Sequence, residues 1–122
     1  PTAVAAAVAV MEQFEQGDWL NRAQEIGALI VKRLTEMMAI YPVIGEVRGV
    51  GAMQAFELVM PDTLDPNQPA TEALLKHCHK NGVVVLNAGT YANVVRLLPP
   101  LSISDELLHE ALDVISEGLA SL

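Results

Sequence analysis

The run PTAVAAAVAVM, residues 1–11, carries no charge and is apolar at nearly every position. Pro1 suits the first turn of a helix, where its missing N–H costs nothing. Ala3, Ala7, Val10 and Phe14 would then form one apolar stripe, with Val4, Val8 and Met11 a second beside it. No charged side chain appears before Glu12. A helix that is apolar all round has to be covered on all sides. A chain of 122 residues that must also fill its own core has little left to do so. Cover is therefore expected from another domain or a second subunit. Starting on proline and running straight into this helix, the chain reads as a piece of something longer.

The formal charge of -8, with seven scattered Lys and Arg, leaves no basic patch for nucleic acid and no polybasic membrane anchor. The opening run lacks the basic start of a secretory signal and is too short to span a bilayer. The single Cys78 excludes an internal disulfide and fits a reducing, cytoplasmic setting. At 52% hydrophobic residues the chain should fold.

Gly17 breaks the first helical pattern, and Asp18 is placed to cap a second. Trp19, Ala23, Ile26, Ile30, Leu34 and Met37 recur at threes and fours, so this helix should reach about Ile40. Its other face holds Arg22, Glu25, Lys32, Arg33 and Glu36 and reads as solvated. VIGEVRGVG and AMQAFELVM read as two strands bent at Gly49 and Gly51, and PDTLDPNQP as a surface loop. A third helix is expected over 70–80, stopped by Asn81-Gly82. VVVLNAG and NVVRLL are two further strands. Ser104 then caps a last helix, with Leu108, Ala111, Ile115 and Leu119 as its buried stripe. Strand pairs separated by helices predict an α+β fold, a small, mostly antiparallel sheet with helices on one face. The expected division is a helical segment over 1–40, to be packed against another domain or subunit, and an α+β unit over 41–122.

Few residues here carry chemistry. His77 and His79 of the HCH run would point about 200° apart on a helix and so cannot share a metal ion. Cys78 between them fits a core position and has no cationic neighbour to activate it. Gly49 and Gly51 lack the third glycine of a dinucleotide loop, since that position is Gln54. The carboxylate pairs Asp62/Asp65 and Glu12/Glu15 are accounted for by solvation. No catalytic constellation and no metal site is expected. Arg96, set among Val94, Val95, Leu97 and Leu98, is different, because a guanidinium is costly to bury without an anion. It either snorkels or pairs with a glutamate such as Glu57, or it offers its planar fork to a ligand carboxylate.

GTYANVVRLLPPLSIS, YPVIGEVRGVGAMQAFELV, SDELLHEALDVISEGL and PTAVAAAVAVMEQFEQ together resemble the C-terminal domain of class III pyridoxal-phosphate aminotransferases. The 4-aminobutyrate branch is the most similar. The resemblance implies the small domain of a fold-type I homodimer that moves an amino group between 4-aminobutyrate and 2-oxoglutarate. It implies pyridoxal phosphate held by a lysine upstream of Pro1, so that this chain alone binds no cofactor and is inactive. Lys32, Lys76 and Lys80 all fall in expected helices and do not replace that lysine. One functional position carries over: the arginine of the NVVR strand, Arg96, would bind the substrate carboxylate. Another class III transaminase, of ornithine or acetylornithine type, is the nearest alternative. A stand-alone module binding carboxylates or a protein is the more distant one.

Overall fold

The computed structural model describes residues 1–122. Helix α1 (Thr2–Gln16) starts directly after Pro1 and has no buried residue. Val4, Val8, Met11 and Phe14 are 47–66% exposed, so its apolar stripes stand open along their whole length. At Gly17 the chain turns into helix α2 (Trp19–Ile40). Asp18 occupies the N-cap, where its carbonyl accepts from the Arg22 N–H at 3.0 Å, but its side chain caps no backbone N–H; the carboxylate instead accepts from the Asn21 side chain at 2.9 Å. Ile26, Ile30, Leu34 and Met37 are buried, as their spacing dictates. Each such side chain withdrawn from water is worth about 1.5–3 kcal/mol.

Strands β1 (Ile44–Val50) and β2 (Met53–Leu58) form an antiparallel hairpin whose tip is Gly51-Ala52. Gly51 sits at φ +54°, a left-handed conformation that glycine adopts without the Cβ penalty. Helix α3 (Gln68–Lys80) is capped by Asn67, whose side chain accepts from the Ala70 N–H at 3.1 Å. Strands β3 (Leu86–Ala88) and β4 (Val94–Leu97) follow, and then helix α4 (Asp105–Ala120). Ser104 caps α4 by accepting from the Leu107 N–H at 3.3 Å.

The four strands are antiparallel in the order β1-β2-β4-β3. One face carries Phe56, Leu58, Val95 and Leu97 into a single core with Ile26, Ile30 and Leu34 of α2, Leu74 and Cys78 of α3, and Leu108, Leu112 and Ile115 of α4. The α+β class and the helices on one side of the sheet are as expected. Residues of α2 share this core with the sheet, and α1 is the helix with no buried residue.

Three further expectations are corrected. Val83–Val85 do not belong to a strand: the Val83 N–H bonds back to the Cys78 carbonyl at 2.9 Å, so these residues still close the end of α3. On α4, Leu112 is buried, whereas Ala111 is only partly covered. The polar face of α2 is not simply solvated. Arg22 donates to Asp105 and to the Ile103 carbonyl, each at 2.7 Å. Arg33 donates to Asp113 at 2.6 Å, so both arginines tie α2 to α4.

Candidate carboxylate site on the open face of the sheet

The face of the sheet turned away from the helices is set by strand alternation. Because Val95 and Leu97 point into the core, Val94 and Arg96 point the other way. What fixes this register is Asn93, buried just ahead of β4. Its side-chain amide donates to the Leu58 carbonyl at 3.1 Å, and its own carbonyl accepts from the Leu58 N–H at 2.8 Å. The reading of the sequence assigned Asn93 no role. Its signal was a polar residue between Ala92, at φ +51°, and the start of an apolar strand.

Arg96 lies opposite Ala55 on β2 and Leu86 on β3. Ala55 is short and leaves the space above β2 open. Arg96 is exposed and joins no ion pair. The chain has four arginines. Arg22, Arg33 and Arg48 are each held by carboxylates, so Arg96 is the one guanidinium left free.

The alternative in which Glu57 neutralises Arg96 does not hold, because Glu57 is already engaged. Arg48 on β1 donates to Glu57 and to Glu46, each at 2.5 Å. The hydrogen bond to Glu57 holds the Arg48 pKa above its ordinary value. Sequence reading passed over Arg48, although Glu46 two residues earlier shares its face of the strand.

The other candidates stay apart from this face. His77 is within 3.3 Å of the Asn81 amide, whereas the Nε2 of His79 meets the Val85 carbonyl at 2.9 Å. Cys78 between them is fully buried, and desolvation pushes its thiol pKa up to about 11. Lys32 lies on α2, and Lys76 and Lys80 on α3. Near the end of β4 a groove of about 440 Å³ runs between Val83–Val85, Pro99 and the Leu107–Ala111 edge of α4. It is mostly apolar, and Arg96 and Glu110 are its only charged lining residues.

A free guanidinium on a rigid strand can give two parallel N–H bonds to one carboxylate.

The family model Aminotransferase class-III matches residues 1–119. A 4-aminobutyrate aminotransferase of Mycobacterium tuberculosis is 45% identical over all 122 residues, which cover 27% of that protein. A 5-aminovalerate aminotransferase of Pseudomonas putida is 39% identical over the whole chain and 29% of its own length. Among solved structures, a phospholyase from Arthrobacter in complex with phosphoethanolamine superposes with a TM-score of 0.91 at 29% identity, over 97% of this chain and 28% of that one. An acetylornithine aminotransferase from Elizabethkingia anophelis gives 0.83 at 26% identity, over 100% and 30%. The chain thus spans between a quarter and a third of the length of each protein it matches.

Proposed function

This chain belongs to the class III aminotransferases, and on that footing we propose that it is the small-domain portion of an enzyme that moves an amino group between 4-aminobutyrate and 2-oxoglutarate. The observation that carries this reading is the free guanidinium of Arg96, on a sheet face that no helix of this chain covers. An aminotransferase acting on 2-oxoglutarate must hold a dicarboxylate in one orientation. Arg96 is the group here that would grip a carboxylate, with Ala55 leaving room for it and Leu86 beside it. The 5-aminovalerate relative supports a second amino donor, one methylene longer, with the same carboxylate to bind.

Class III aminotransferases work with pyridoxal phosphate, which supplies the electron sink for amino transfer. The residues of this chain do not fit that cofactor. All three lysines sit on α2 and α3, which pack on the other side of the sheet from Arg96, and none lines the groove beside it. The chain's contribution is to bind and orient the carboxylate, and alone it would be inactive. Helix α1, with no buried residue, would be covered by the remainder of the enzyme or by its partner in a homodimer.

Replacing Arg96 in the complete enzyme tests the reading. Arg96→Lys keeps the charge but loses the planar fork. The loss of one charge-assisted bond, about 1.5–3 kcal/mol, should raise KM for 2-oxoglutarate roughly ten- to a hundredfold. The cofactor absorbance should be unchanged. An unaltered KM would remove Arg96 from the substrate site.

A further inference from the structure

Glu57 and Arg96 lie on the same open face of the sheet, on neighbouring strands. Glu57 is opposite Val94 and Arg96 is opposite Ala55, which makes the two a diagonal pair. Such neighbours are about 7–8 Å apart, within the combined reach of a glutamate and an arginine. The pairing that sequence would favour is nevertheless absent.

The reason lies one strand further out. Glu46 faces Glu57 directly across β1 and β2, and two like charges so placed repel. Arg48, opposite Ala55, sits between them, with Nη1 on Glu46 and Nη2 on Glu57. Both ends of the guanidinium are used, and Glu57, with its side chain 29% exposed, is drawn toward β1 and away from β4. Without Arg48, repulsion from Glu46 would drive the Glu57 carboxylate toward the nearest free cation on that face, which is Arg96.

We propose that Arg48 is a positioning residue for the carboxylate site: by holding Glu57 against β1 it keeps an internal carboxylate from occupying Arg96 in place of the ligand. The inference rests on the reading of Arg96 as the substrate carboxylate's partner. It adds that the site is kept open by a second arginine that never touches the ligand.

The test is a variant cycle in the complete enzyme, read as the inhibition constant of glutarate, a dicarboxylate that cannot accept an amino group. Arg48→Gln should weaken glutarate about three- to fivefold, as far as an exposed ion pair can compete. Glu57→Gln should not weaken it. The double variant Arg48→Gln/Glu57→Gln should return to within about twofold of the parent. A purely structural role for Arg48 predicts the reverse, a double variant at least as impaired as the single one, and that outcome overturns the proposal. If Arg48→Gln does not fold, Arg48→Lys is read in the same way with and without Glu57→Gln. Arg96→Ala separates the two claims. If it leaves glutarate inhibition unchanged, the substrate reading fails and this inference with it. If it weakens glutarate while Arg48→Gln does not, the role of Arg48 alone is refuted.

Discussion

Gly27 of α2 lies directly against the carbonyl of Gly51 at the tip of the β1–β2 hairpin, so close that a β-carbon on Gly27 would collide with that oxygen. The same carbonyl accepts from the Gln54 side-chain amide at 2.8 Å, so it is held and cannot swing aside. Gly27→Ala would stabilise an exposed helix interior by about 1 kcal/mol. Here the sign should reverse. A net loss of about 1–3 kcal/mol is expected from pushing α2 off the hairpin. Urea unfolding of the two proteins decides it, and a more stable Gly27→Ala would mean that the hairpin yields.

Helix α1 and helix α2 are both rich in apolar residues but should respond oppositely to truncation. Val8→Ala and Met11→Ala remove atoms that this chain leaves in water. Each should shift its stability by no more than about 0.5 kcal/mol. Ile30→Ala, at a fully buried site, should cost about 2–5 kcal/mol. Thermal melts of the three variants measure the contrast. A large loss on Val8→Ala would mean that α1 packs on its own chain.

The ties from Arg22 to Asp105 and from Arg33 to Asp113 join α2 to α4 through partly exposed groups. Removing both with Asp105→Asn/Asp113→Asn should lower stability slightly in low salt. The difference from the parent should shrink in 1 M salt, where the screening length falls to about 3 Å. A loss that does not depend on salt would assign it to hydrogen bonding instead.

Cys78 gives a prediction in pH. Its folded pKa is raised from 9.0 to about 11 because burial disfavours the thiolate. The folded state therefore binds the proton more tightly than the unfolded chain does. Its contribution is complete below pH 9 and is lost as pH rises through 11. That difference corresponds to about 3 kcal/mol at most. Cys78→Ala should abolish that part of the alkaline decline in unfolding free energy. In the native protein at pH 8 the thiol should resist a maleimide reagent that labels it at once in urea.

The helices were legible in the sequence because each carries its own period and stops: Ile26 to Met37, Asn67 as a cap, Asn81-Gly82 as an end. The hairpin was legible from Gly49 and Gly51. What escaped was set between elements. Nothing near Arg22 or Arg33 in the sequence announces Asp105 or Asp113, which only the packing of α4 brings alongside. Val83–Val85 have strand composition, but the bond from Val83 to the Cys78 carbonyl claims them first. Arg96 was singled out for its isolated charge. That it is free depends on Arg48, whose hold on Glu57 is visible only once β1 and β2 are paired.

The strand order also governs how this sheet can be built over time. Strands β1 and β2 meet across a two-residue turn, a contact that closes within microseconds. The next seam, β2 with β4, joins Ala55 to Arg96, about forty residues apart, and the loop between them contains all of α3. Loop-closure entropy must be met there before any pairing rewards it. On a ribosome, α2 and the hairpin can therefore assemble while the β4 strand is still unmade, leaving the inner edge of β2 unpaired in the interval. The strand that bears Arg96 is then among the last to arrive, and in its absence that edge is a template for pairing with another chain.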